Sequence, residues 1–294
     1  MKQAQIERMQ TGNGFIAALD QSGGSTPKAL KLYGIDESQY SNEEEMFDLM
    51  HQMRTRIMTS PAFTSEHILG AILFSQTMGR KVEGIPTTEY LLNKGILPFL
   101  KVDLGLADLH NDVRLMKPIT NLDEVMEQGV DNQIFGTKMR SVIMGANAAG
   151  IREVVAQQFE FAKRILGYGI VPIIEPEVDI NIPDKEAAEA ILQVELANAL
   201  KNLSPDQKVV FKLTIPNQTG LYDSLLEDDH LVRIVALSGG YSRTKANELL
   251  AQNHKMIASF SRALTEGLTA QQSDDEFNKM LGESIQAIAA ASAE

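Results

Sequence analysis

The chain has 294 residues, 44% of them hydrophobic and 22% charged, which supplies a sizeable core and argues against global disorder. Its net charge of −12 disfavours nucleic acid and anionic membrane as main partners, so any phosphate it binds must be met by cations gathered locally. With no cysteine, disulfides, thiolate catalysis and Cys-based metal sites are excluded.

The N-terminal segment MKQAQIERMQTGNG has no apolar signal region, and no apolar run approaches the ~18 residues needed to span a bilayer. A cytoplasmic protein is expected. From there short apolar runs alternate with longer amphipathic ones. Strands are predicted at 14–20, 68–74, 98–103, 137–143, 170–177, 208–214, 232–238 and 256–262. Helices are predicted at 42–59, 86–94, 121–130, 150–166, 184–203, 242–253 and 274–292, with room for only a short helix after 214. In 184–203, Asp184 and Glu186 favour a helix N-terminus, and Ala188, Ile191, Leu192, Leu196 and Ala199 recur at helical spacing. No linker or low-complexity segment interrupts the pattern, so residues 1–294 are expected to form one domain. Eight strands alternating with helices predict an α/β protein with a single (β/α)8 (TIM) barrel. An open doubly wound sheet is the competitor, but no G-x-G-x-x-G follows the first strand.

Barrel enzymes work at the C-terminal ends of their strands. Here ionisable or hydroxyl residues fall late in the runs: Asp20, Lys101, Lys138 with Arg140, Glu175 with Glu177, Lys212, Ser238 and Arg262. After the second strand Ser75, Gln76 and Thr77 lie just beyond the end. Five of these groups are cations on an acidic chain, a pattern that suits a polyanion such as a sugar phosphate. Taken singly, each has a plainer reading. A strand lysine commonly reaches to solvent, Asp20 could cap the turn into SGGS, and Glu175-Pro176-Glu177 could be a loop ion-pair cluster. Lys212 resists that reading because Val209, Val210, Phe211 and Leu213 surround it, apolar company that favours the neutral amine needed to attack a carbonyl.

Ser238-Gly239-Gly240 follows the seventh strand, where barrels commonly hold phosphate through backbone N–H groups, and Arg262 ends the eighth. Ser22-Gly23-Gly24-Ser25 after the first strand, with Lys101 near it, offers a second anion site across the mouth. The five histidines include no i, i+4 pair, so a metal site and a metal-dependent lyase are not expected.

The segments ALDQSGGS, FLKVD, TKMRS, PIIEPE, FKLTIPN, ALSGG and SFSRAL, from Gly14 to Arg262, resemble in order and spacing the motifs of class I fructose-1,6-bisphosphate aldolases, in a compact bacterial form. The resemblance implies Lys212 as the Schiff-base lysine and Glu175 as the acid of imine formation and hydrolysis. It implies Asp20 beside the C4 hydroxyl, Lys138 and Arg140 around the reacting carbon and phosphates, and Glu177 as an ion-pair partner nearby. It further implies one phosphate on Ser238, Gly239, Gly240 and Arg262, and the other on Ser22, Ser25 and Lys101. No cofactor or metal is implied; the partners are sugar phosphates, and a homo-oligomer stays open. Gln21 stands where animal enzymes carry an acid, and ASAE lacks their terminal tyrosine. The alternatives are another Schiff-base sugar-phosphate lyase or transaldolase-like enzyme, and a catalytically silent binder on the same scaffold.

Overall fold

The computed structural model describes residues 2–22 and 24–293. Eight strands form in the predicted order: β1 (Phe15–Leu19), β2 (Ile68–Leu73), β3 (Leu97–Lys101), β4 (Gly136–Ile143), β5 (Val171–Val178), β6 (Val209–Thr214), β7 (Leu231–Leu237) and β8 (Met256–Ala258). Each pairs in parallel with the next. The Ala18 N–H donates to the Phe260 carbonyl at 3.1 Å, drawing β1 against the chain just after β8. Helices occupy the connections, because parallel neighbours cannot be joined by a tight turn. Ahead of β1 lies α1 (Lys2–Thr11); the connections hold α2 (Ser25–Leu32), α3 (Glu43–Thr59), α4 (Thr87–Asn93), α5 (Leu122–Asp131), α6 (Ala148–Gly167), α7 (Lys185–Leu200), a short 3-10 helix at Asp223–Glu227 between β6 and β7, and α8 (Arg243–Leu250); α9 (Asp274–Ala291) follows β8. The result is a (β/α)8 barrel. Among the described residues no helix is long and apolar enough to cross a membrane.

Strand side chains alternate between two apolar layers, as a period of two requires. Phe15, Ala17, Leu19, Phe211, Leu213, Ile234 and Ala236 pack outward against helix residues such as Met50, Ile57, Val154 and Leu192. Ile16, Ala18, Leu97, Phe99, Val171, Ile173, Val210, Val235 and Ile257 fill the barrel interior. The interior is therefore a solid plug. Met9 of α1 joins it from below, while Arg8 donates to the Ser65 carbonyl at 2.9 Å and Arg233 to the Gln10 carbonyl at 2.5 Å.

Several elements depart from the expectation. The last strand ends at Ala258, not 262, and Arg262 opens a four-residue helix, Arg262–Thr265. The chain has already made its last barrel contacts, Ser259 N–H to the Ala236 carbonyl at 2.7 Å and the Phe260 carbonyl to Ala18, and then turns away at Ser261. Ser75–Met78 forms a short helix whose Thr77 is buried rather than displayed at the mouth. Two antiparallel pairings, Lys81–Val82 with Ile85–Pro86 and Val113–Arg114 with β4, were not foreseen. Between β5 and β6 only Ile173–Val210 and Ile174–Phe211 pair; above them the Thr214 hydroxyl donates to the Val178 carbonyl at 2.7 Å and accepts its N–H at 2.9 Å. The Thr214 hydroxyl thus joins the two strands where their backbone ladder stops.

Candidate active site at the barrel mouth

The alternation that fills the plug also builds the site. Continuing the inward series one step up each strand leads from Ile16 and Ala18 to Asp20, from Phe99 to Lys101, from Ile173 to Glu175 and Glu177, from Val210 to Lys212, and from Ile257 to Ser259 and Ser261. All of these line one cleft of about 490 Å3, with Lys138, Arg140, Ser22, Ser25, Ser238, Gly239 and Arg262. The rim side chains reach water above the apolar plug, and the buried ones at its floor are paired with opposite charges.

At the floor four buried ionisable groups meet. The Lys138 ammonium lies 2.8 Å from Asp20 Oδ2 and 2.9 Å from Glu175 Oε2, and Lys212 Nζ lies 3.4 Å from Glu175 Oε1. The amine of Lys212 thus faces a carboxylate, although its stem runs through the apolar wall the sequence indicated. Glu175 thus bridges the two lysines, Oε2 toward Lys138 and Oε1 toward Lys212. Burial alone would raise the Asp20 carboxyl, but the Lys138, Lys212 and Lys101 charges overcome it and hold it at about 2. For Lys138, burial favours the neutral amine, yet Asp20, Glu175 and Asp103 outweigh it and raise the ammonium well above the ordinary lysine value.

A second layer of pairs frames these four. Arg140 Nε donates to Glu177 Oε2 at 2.6 Å, and Lys101 donates to Asp103 Oδ1 at 2.8 Å. The other Asp103 oxygen accepts the Arg140 N–H at 3.2 Å, locking β3 to β4. Burial opposes the Arg140 charge, but Glu177, Glu175 and Asp103 raise it above its usual value.

Around the rim, Gly239 (φ 61°) and Gly240 (φ 105°) adopt the left-handed backbone that glycine allows. A Cβ on Gly239 would meet Ile180 Cγ2 at 2.8 Å, and one on Gly240 would lie 3.5 Å from an Arg262 nitrogen. Gly240 does not itself line the cleft; it shapes the turn under the Arg262 guanidinium. Arg262 also borders a small recess with Ala29 and Leu32 of α2, so it lies between the two expected anion loops rather than within one. In the first of these loops Ser25 is already engaged: its hydroxyl donates to the Ser22 carbonyl at 2.8 Å and accepts the Ser22 N–H at 3.0 Å. Gly23 of the same motif lies outside the described residues.

Several polar cleft residues, Ser261 among them, were not assigned to the site by the sequence reading. Asp103 stands two positions beyond Lys101, so the strand period could have found it. Ser259, buried with a hydroxyl that meets no partner among the described residues, follows from Ile257 by the same rule. Gln21 lines the cleft beside Asp20, and Lys28 reaches it from α2, a helix with no clear sequence signal. Conversely, Ser75, Gln76 and Thr77 do not line the cleft.

A model of the family "Fructose-bisphosphate aldolase class-I" matches residues 2–218, a span holding Asp20, Lys101, Lys138, Glu175 and Lys212 but not Ser238 or Arg262. Among solved structures, the chain is similar to the fructose-bisphosphate aldolase of Plasmodium falciparum, solved in complex with TRAP and a small-molecule inhibitor. The TM-score is 0.80 at 20% identity, covering 99% of this chain and 93% of that one. A structural-genomics target from Corynebacterium glutamicum gives 0.57 at 13% identity, covering 98% and 92%. Likeness at such identities establishes the barrel alone.

Proposed function

The chain belongs to the class I fructose-bisphosphate aldolase family, and from that premise we propose that it reversibly cleaves fructose 1,6-bisphosphate to dihydroxyacetone phosphate and glyceraldehyde 3-phosphate through a Lys212 imine. In this reading residues 1–294 act as one catalytic domain in the cytoplasm, in sugar-phosphate breakdown and synthesis, with no metal. The observation that carries it is the buried chain of charges Lys212–Glu175–Lys138–Asp20 at the mouth of the barrel.

The geometry supports a complete proton account. Glu175 takes a proton from the Lys212 ammonium it faces, Lys212 Nζ adds to the C2 carbonyl, and Glu175 then gives that proton to the departing hydroxyl, releasing water and leaving an iminium. Asp20, ionised because Lys138 opposes its neutral form, then takes the proton of the C4 hydroxyl. A carboxylate held at about 2 is too weak a base to act beforehand. It accepts the proton in concert with C3–C4 cleavage, as the bond electrons pass into the iminium and the alcohol becomes a carbonyl. Lys138, paired with both carboxyls, balances the negative charge that each gains or loses in its own step. Asp20 then returns its proton to water, water supplies one to the enamine at C3, and hydrolysis with Glu175 as base frees Lys212. Since the protonated imine is itself the electron sink, this chemistry requires no Lewis acid. Ser238, Gly239 and Arg262, with Gly240 shaping their loop, would hold one phosphate; Ser22, Ser25 and Lys101 would hold the other, and Arg140, fixed by Glu177, would face the substrate chain between them.

The test is steady-state cleavage of fructose 1,6-bisphosphate in excess EDTA. Undiminished turnover is expected. Absence of cleavage, or loss on chelation with recovery on adding zinc, would overturn the proposal.

A further inference from the structure

Behind Asp20 sits a cation that the proposed reaction does not use. Arg54, on α3, is 1% exposed, and among the described residues no carboxylate lies within ion-pair distance of it. Burying an unpaired charge is costly, so a guanidinium kept here needs a reason. Burial pulls it down to about 10, with Asp20 opposing, which leaves it charged at neutral pH.

Its donors reach two elements at once. Nη1 donates to the Thr77 hydroxyl at 2.7 Å, just past β2, and Nη2 donates to the Gln21 carbonyl at 2.5 Å, just past β1. Nη2 also lies 3.5 Å from Gln21 Oε1. A guanidinium offers only donors, so it orients the Gln21 amide with its oxygen inward and its nitrogen outward. That nitrogen donates to Ser261 Oγ at 2.6 Å. The chain of contacts therefore runs from α3 through the residue after Asp20 to the residue before Arg262.

We propose that Arg54 is a positioning residue, which fixes the spacing between the base Asp20 and the phosphate-binding Arg262 through Gln21. The inference rests on the aldolase reading and deepens it. Forked geometry matters here: a lysine presents one point charge and cannot hold Thr77 and Gln21 together. Lys212 and Glu175 lie outside this chain of contacts, so imine formation at saturating ligand is spared while cleavage, which needs Asp20 and both ends of the substrate, suffers.

The experiment compares Arg54→Met and Arg54→Lys with the wild-type protein in two assays, each at saturating ligand: cleavage of fructose 1,6-bisphosphate, and borohydride trapping of dihydroxyacetone phosphate on Lys212. The Met variant is expected to lose about 10- to 100-fold in cleavage kcat while trapping changes by no more than about twofold. Arg54→Lys keeps the charge and should fold if Arg54→Met does not; it is expected to show the same split, smaller in size. Cleavage and trapping falling together, or lowered thermal stability with both unchanged, would make Arg54 merely structural and overturn the proposal. Absence of trapping by the wild-type protein would overturn the aldolase reading and this inference with it.

Discussion

Replacing Asp20 with Asn keeps the shape of the side chain and removes the charge facing Lys138 at 2.8 Å. Asp20 has an ordinary value of 3.8 and is held at about 2 in the folded protein. A depressed carboxyl contributes stability that is fully present above the unfolded value and is lost as pH falls through the folded one. At neutral pH the contribution is about 2.5 kcal/mol, from the gap between 3.8 and about 2 at 1.36 kcal/mol per tenfold. At about pH 3 it shrinks to roughly 1.3 kcal/mol, because the unfolded chain is then mostly protonated at this site while the native one is not. Asp20→Asn should therefore be less stable than wild type by about 2–3 kcal/mol near neutrality, with the gap roughly halved near pH 3. Lys138 still faces Glu175 in the variant, so its ammonium is not orphaned. Urea unfolding at both pH values, followed by circular dichroism, measures this. The same variant should lose about 10²- to 10⁴-fold in cleavage while still forming the imine. A stability gap that does not change between the two pH values would refute the electrostatic account of Asp20.

Two further substitutions probe the rim. Arg262→Ala removes an exposed side chain and should raise the KM for phosphorylated substrate at least about tenfold with thermal stability unchanged, since among the described residues its guanidinium makes no hydrogen bond or ion pair; unfolding of the variant would make Arg262 structural. Gly239→Ala forces a methyl into a φ of 61° and to within 2.8 Å of Ile180, so stability should fall by about 1–2 kcal/mol and KM should rise. Unchanged binding would show that this backbone does not approach the anion.

The barrel was legible because its strands carry clear apolar runs, and a period of two then fixes which residues share a face. Knowing that Ile16 and Ala18 point inward is enough to place Asp20; Val210 places Lys212 and Ile173 places Glu175. What stayed hidden lacked that periodicity. Helix α1 buries only Met9, so no amphipathic stripe announces it. Helix α2 begins inside a Ser/Gly segment that reads as a loop, which concealed Lys28. Arg262 was placed on a strand because SFSRAL continues an apolar run, whereas closure onto Ala18 ends the barrel at Phe260. Arg54 sits in a helix among ordinary surface charges, and only the packing of α3 against the end of β1 separates it from its neighbours Arg56 and His51. A one-dimensional pattern reports which face a residue occupies within its element, but not which faces of distant elements meet.

The central claim is that Lys212 is the nucleophile. Incubating the protein with dihydroxyacetone phosphate, reducing with borohydride and mapping the modified peptide tests it most directly. The account predicts a single adduct on Lys212, absent from Lys212→Met. An adduct on Lys138, Lys101 or any other lysine, or none at all, would contradict it.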